Sequence, residues 1–217
     1  MLHEVKSDEH VSLDMKYLFI LIFALSMFSC DMVGSRNLQQ GDIVFQISKS
    51  SQSQAIQLAT GSKYSHCGIV FLKGEEVYVY EAVQPVKLTK WADWIKRGES
   101  GHYVVKRLRE SRSTLTPQNL SKLYQEGLKF NGKDYDSSFQ WSDDKIYCSE
   151  LIWKTYYNAL GIELSALETF GDFDFSHPEV QKKLRERFKG GIPKDAVIVS
   201  PKALFQSEQL ETVYTKN

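Results

Sequence analysis

Cysteine is scarce in this chain. Three residues, Cys30, Cys67 and Cys148, stand far apart. They are not spaced as pairs, and no His-x-x-x-His occurs, so the sequence carries no metal-binding motif. A phosphate-cradling glycine loop is also missing, and no cofactor is expected. Neither sign of charge is in excess, with 27 Lys+Arg against 27 Asp+Glu. No basic stripe with interleaved aromatics is present, which argues against a nucleic-acid partner. Repeats and long low-complexity tracts are lacking too. The 217 residues allow one domain of ordinary size with a full core.

Long apolar runs are equally rare. The one near the N-terminus, residues 17–25, is too short to span a bilayer comfortably. Lys16 precedes it, and Ser26-Met27-Phe28-Ser29-Cys30 follows: a positive n-region, an apolar h-region and a small residue before a cysteine. This pattern resembles a bacterial lipoprotein signal. It implies that residues 1–30 are a leader, that Cys30 is lipidated, and that the protein is anchored to a membrane of the bacterial cell envelope. Phe28 departs from the pattern where a small residue is usual. The polar stretch before Met15 is foreign to such signals and points to Met15 as the translation start. The alternatives are an uncleaved signal-anchor and a buried apolar strand. Residues 31–40 read as a linker, and residues 41–217 as the folded domain.

Within the domain, Gly41-Asp42 opens a strand over 43–47, and a short helix over 51–59 ends at Gly61. Residues 66–72 and 76–82 read as a hairpin around Lys73-Gly74-Glu75. A short strand over 86–88 precedes a helix over 90–96 capped by Thr89, and 103–108 is a further strand. Thr116-Pro117 starts a helix that runs to about residue 130, Thr as N-cap and Pro at the first helical position. A loop over 134–145 leads to a helix over 151–160 closed by Gly161. Another helix, 178–188, is capped by Ser176, and strands follow at 196–199 and 210–214. The fold class is α+β, a small antiparallel sheet or partial barrel packed with helices.

The chemistry points to Tyr147-Cys148-Ser149-Glu150-Leu151. A thiol at a helix N-terminus sits at the positive end of the macrodipole, which favours thiolate. His66, in Tyr64-Ser65-His66-Cys67-Gly68-Ile69-Val70, and Glu81, in Val77-Tyr78-Val79-Tyr80-Glu81, lie at the edges of two expected strands. Nucleophile, base and orienting carboxylate are the three parts of a thiol hydrolase. Cys148 would attack a carbonyl carbon, with its own backbone N–H serving the oxyanion. His66 would lower the Cys148 pKa and protonate the leaving group, and Glu81 would fix the imidazole tautomer. Tyr64, Tyr147 and Asp42 are candidate substrate-binding residues. Glu150 reads as a structural first-turn carboxylate. Strand alternation points the Cys67 side chain opposite to that of His66, as a small buried core residue. A Cys67–Cys148 disulfide is compatible with the sequence and would destroy the nucleophile.

Gly41-Asp42-Ile43-Val44-Phe45, the His66 block, Tyr80-Glu81-Ala82, Phe130-Asn131-Gly132-Lys133-Asp134-Tyr135-Asp136 and the Cys148 block occur in this order. Together with Ile192-Pro193 and Val199-Ser200-Pro201 they resemble the permuted papain-like amidases of the YaeF/YiiX type, a branch of the NlpC-type cysteine peptidases. The resemblance covers nearly the whole domain and implies a circularly permuted papain-like fold, since papain-type enzymes present Cys before His. A triad is recognised by geometry rather than by order. Cys67 departs from the pattern, because an aliphatic residue is commoner there. Resemblance to the wider superfamily implies amide bonds of murein peptides as substrate. Permuted members also include lecithin retinol acyltransferase-like proteins, which act on lipids and need an apolar channel beside the cysteine; the segments around Trp91, Trp94, Phe139, Trp141, Phe170, Phe173 and Phe175 are candidates to line one. A non-catalytic module that holds a cell-wall peptide is the third reading.

Overall fold

A computed structural model describes residues 37–217. The leader, Cys30 and residues 31–36 of the expected linker lie outside them. β1 (Ile43–Ser48) leads into α1 (Ser51–Thr60), and β2 (His66–Lys73) and β3 (Glu76–Glu81) form the expected hairpin. Then come β4 (Lys87–Lys90), α2 (Trp91–Arg97), β5 (Gly98–Leu108), α3 (Ser111–Thr114) and α4 (Pro117–Leu128). After the loop comes α5 (Cys148–Leu160), followed by β6 (Glu168–Thr169), a 3-10 turn (Phe170–Asp172), α6 (Pro178–Arg187), β7 (Val197–Ile198), α7 (Pro201–Phe205) and β8 (Leu210–Lys216). Six strands make one antiparallel sheet in the order β4-β3-β2-β1-β5-β8, open at both edges rather than closed into a barrel. The short β6 and β7 form a separate two-stranded ribbon. No helix among the described residues is long and apolar enough to cross a membrane.

The period of two along the central strands sorts their side chains to two faces. Ile43, Phe45, Cys67, Ile69 and Phe71 turn toward α5 and join Leu151, Ile152 and Tyr156 in the larger core. Val44, Val70 and Val79 turn the other way, beneath Trp91, Trp94 and Ile95 of α2. Each such side chain removed from water contributes about 1.5–3 kcal/mol, so α5 is held to the sheet by packing more than by helix propensity.

Local signals set the helix ends. Thr116 Oγ1 accepts from the Asn119 N–H at 3.3 Å with Pro117 at the first position. Gly161 closes α5 in the left-handed region at φ 69°. Two expected caps are corrected. Thr89 makes no cap to α2, whose N-cap is Lys90, because its hydroxyl is turned to Glu81. Ser176 does not cap α6; His177 does, its Nδ1 accepting from the Glu179 N–H at 3.2 Å. β5 starts five residues before the expected 103, at Gly98, because Ser100 and Gly101 adopt positive φ and interrupt the alternation on which the reading rested. α3, α7 and β6 are too short to leave a periodic trace.

Candidate active site

Helix α5 begins at Cys148 itself, three residues earlier than its apolar pattern. Cys148 therefore stands among the helix's unsatisfied N–H groups, at the positive end of its dipole. The preceding Tyr147 is extended, and the Glu150 carboxylate accepts from its backbone N–H at 3.4 Å. Because α5 packs on β2, its first residue meets the first residue of that strand, His66.

Glu81 is the last residue of β3, across from β2. Gly68 lies between: a Cβ there would come within 3.4 Å of the Glu81 Cβ and 2.3 Å of Val79 Cγ1. The bare glycine lets the imidazole of His66 reach across, and His66 Nε2 stands 2.6 Å from Glu81 Oε2. The other Glu81 oxygen accepts from Thr89 Oγ1 at 2.5 Å and from the guanidinium of Arg97. Glu81 is fully buried with both oxygens engaged, which a buried carboxylate requires. Burial by itself would raise its pKa, but the hydrogen bond and charge of His66, then Arg97 and Thr89, hold it below the usual value. With Nε2 committed to Glu81, Nδ1 is the ring nitrogen left for sulfur.

The thiol of Cys148 interacts electrostatically with both His66 and Cys67. The Cys67 contact, then His66 against the opposing effect of burial, carries the Cys148 pKa well below the ordinary thiol range. Burial would depress His66, but its contacts with Cys148 and Glu81 outweigh that and raise it to about 9. The two shifts describe a thiolate–imidazolium pair at neutral pH. Cys67 is pushed up, first by burial and then by Cys148, and remains a thiol. Both cysteines are free and buried. Cys67 does sit on the helix-facing side of β2, as alternation requires, yet it also acts on the Cys148 thiol rather than merely filling the core.

The other sequence candidates separate. Tyr147 lines the pocket beside Cys148, its hydroxyl accepting from the Val199 N–H at 3.1 Å. Tyr64 lines neither of the two cavities at the pair; it stacks on Phe205 at 4.1 Å between ring centroids, within the core. Asp42 also lies away from both cavities: at the foot of β1 it is 1 % exposed and holds Arg107 through both oxygens, at 2.7 and 2.8 Å. Glu150 is buried, with Lys154 Nζ 2.9 Å from its Oε1. Burial raises it to about 7 against the opposing pull of Lys154. Lys154 also donates to Ser142 O and Asp143 Oδ1, both at 2.7 Å, tying the loop before Cys148 to α5.

Several groups went unread in the sequence. Arg97 and Thr89 complete the Glu81 shell from α2 and β4. Tyr135, within one of the quoted blocks, accepts at its hydroxyl from Gln52 Nε2 at 2.7 Å, while Gln52 Oε1 accepts from Arg187 at 2.8 Å. No local pattern marks such long-range pairs.

Two cavities meet at the pair. One, about 670 Å³ counted to its mouth, is walled by Phe139, Phe170, Phe173, Phe175 and Phe188 and reaches Cys148. The other, about 1100 Å³ on the same measure, is lined by Gln46, Gln52, Ser53, Gln84 and Arg97 and reaches His66. Of the aromatics expected around a channel, Trp91 and Trp94 are instead on the far face of the sheet, and Trp141 packs edge-on against Trp153 at 5.3 Å. Among the described residues no group of three or more His, Cys, Asp or Glu is arranged to hold a metal ion.

Comparison with known proteins gives one consistent result. A family model described as permuted papain-like amidase enzyme, YaeF/YiiX, C92 family, matches residues 37–214. The chain is 49% identical over 175 residues to the uncharacterized protein YiiX of Escherichia coli K12, covering 81% of this chain and 85% of that one. It is also similar to a crystal structure described as metalloprotein YiiX from Escherichia coli O157:H7, with a TM-score of 0.78 at 49% identity, over 82% of this chain and 97% of that chain.

Proposed function

Because the chain belongs to the permuted papain-like amidase family of the YaeF/YiiX type, we propose that it is a cysteine hydrolase cleaving amides of an apolar acyl group and a polar amine, through Cys148, His66 and Glu81. The observation that carries this reading is the pair of unlike cavities on either side of the couple, one reaching Cys148 and the other His66. The acyl chain occupies the phenylalanine-walled pocket, and the amine leaves through the polar groove. The Cys148 thiolate attacks the carbonyl carbon, and the oxyanion accepts from the backbone N–H of Cys148. The imidazolium of His66 gives its proton to the departing nitrogen, leaving a thioester. Neutral His66 then takes a proton from water, which hydrolyses the thioester and frees the acid. Glu81 keeps Nε2 protonated throughout.

A lipid on Cys30 would hold this domain at a membrane of the cell envelope, where acylated amines are at hand. Murein peptides are the second reading, supported by the polar groove and by the family's amidase character. A binding module without turnover fits less well, since the site keeps a thiol that is paired with an imidazole.

The test is a substrate panel: N-acyl amino acids of graded chain length against γ-glutamyl murein stem peptides, each with wild type and Cys148→Ala. Hydrolysis that rises with acyl length and disappears in the variant supports the proposal. Turnover of stem peptides alone would replace it with the murein reading. No turnover, together with a Cys148 that resists iodoacetamide, would leave the binding module.

A further inference from the structure

We propose that Cys148 and Cys67 form a peroxide-responsive thiol pair, in which oxidised Cys148 is captured by Cys67 as a reversible disulfide. Cys148 is the first residue of α5 and Cys67 the second of β2, beside His66, and each thiol shifts the titration of the other. They come from separate elements, β2 and α5, that pack against each other within one core. Cys148 alone opens onto a cavity, so a small oxidant meets it first. Cys67, fully buried among apolar side chains, forms and breaks no bond in the amide chemistry above. A reactive thiolate beside a protonated second thiol is the arrangement of an attacking and a resolving cysteine.

The chemistry balances with hydrogen peroxide as the oxidant. The Cys148 thiolate attacks one peroxide oxygen, the O–O bond breaks, and the hydroxide released takes the His66 proton to become water. Sulfur has lost two electrons and is a sulfenic acid. The Cys67 sulfur then attacks the Cys148 sulfur, the S–O bond breaks, and the hydroxide that departs carries off the Cys67 proton as water. Two equivalents of a small thiol reverse the bond, regenerating both cysteines and forming the thiol's own disulfide. Capture at the sulfenic stage forestalls the sulfinic and sulfonic acids, which are not recovered by thiols.

The experiment treats the protein with graded hydrogen peroxide and then alkylates the remaining thiols. A Cys67–Cys148 linkage is sought by peptide mass mapping, and Cys148 alkylation is measured again after dithiothreitol. The readout is the thiol itself, so it is independent of which amide the enzyme cleaves. Wild type is expected to show the cross-linked peptide and full recovery. Cys67→Ala, and the better-filling Cys67→Val, are expected to show sulfinic Cys148 and recovery lower by about tenfold. A wild type without the cross-link, or one that recovers no better than both variants, overturns the proposal.

Discussion

Replacing Glu81 by Gln isolates the charge behind the imidazole. Burial alone would lower the His66 pKa, yet its contacts with Cys148 and Glu81 take it from 6.5 to about 9. At 1.36 kcal/mol per pH unit that gap is about 3 kcal/mol in favour of the charged ring. Because burial opposes them, the two partners together supply more than this net gap, so losing the Glu81 charge removes at least on the order of half of it, ~1.5 kcal/mol, or about one pH unit. The geometry adds to this loss. Thr89 and Arg97 both donate to one Glu81 oxygen; in the variant they retain the amide carbonyl and turn the amide N–H toward Nε2, where a donor opposes the imidazolium. The sign follows: an elevated histidine holds its extra proton below the elevated pKa, so the ion pair is complete below about pH 6.5 and is lost as pH rises through about 9. The assay is the rate of Cys148 alkylation by iodoacetamide against pH. Wild type should show a break near 9, where the thiolate loses its imidazolium, and Glu81→Gln should show it about one pH unit lower. An unmoved break in a folded variant would refute the claim that Glu81 tunes His66.

Other outcomes can be measured directly. Gly68→Ala brings a Cβ to 2.3 Å from Val79 Cγ1 and 3.0 Å from the Tyr80 carbonyl. Such overpacking should cost about 1–3 kcal/mol in denaturant unfolding and slow Cys148 alkylation, and an unchanged unfolding midpoint would contradict it. Arg107→Ala takes the counter-charge from Asp42, which is 1 % exposed and retains the Gln39 backbone N–H as donor, and should destabilise the fold by about 3 kcal/mol. The double variant Asp42→Asn/Arg107→Met should lose less, and equal losses would show that the pair is not coupled. Burial raises Glu150 to about 7 from 4.5; because the folded state then binds the extra proton, stability should fall as pH rises between those values. Glu150→Gln should flatten that slope, read from melting temperatures over the same range, and a slope equal to wild type would exclude Glu150 as its source.

How much of this was legible in the sequence depended on range. The β2–β3 hairpin follows from period-two alternation around Lys73-Gly74-Glu75, and α4 from Thr116-Pro117; both signals lie within a few residues of what they specify. His66 and Glu81 were readable together because a tight hairpin leaves little freedom in how its strands pair. Arg97 and Thr89 were not, because a charged residue ending one helix and a threonine in a short edge strand look like solvated surface until the chain brings them to a buried carboxylate. Thr89 reads as a helix cap because capping is what a threonine does when only its neighbours are known. Tyr64 and Tyr147 show the same limit: two tyrosines beside two site residues, one against Phe205 and the other on the pocket wall, with nothing local to tell them apart. The apolar pocket draws on α1, α5, α6 and the ribbon, so no single segment announces it.

The position of Cys148 after the sheet strands that hold its partners also sets an order of manufacture. A ribosome adding about 5–20 residues per second releases β1, β2 and β3, with His66 and Glu81 already paired by near-neighbour contacts, seconds before α5 emerges. The nascent chain thus carries an acid–base couple without a nucleophile, and the reactive sulfur arrives only with the helix that closes over a sheet still lacking its edge strand β8. Acyl donors or oxidants encountered during synthesis find an incomplete centre, and activity begins with a docking event rather than with translation of the site.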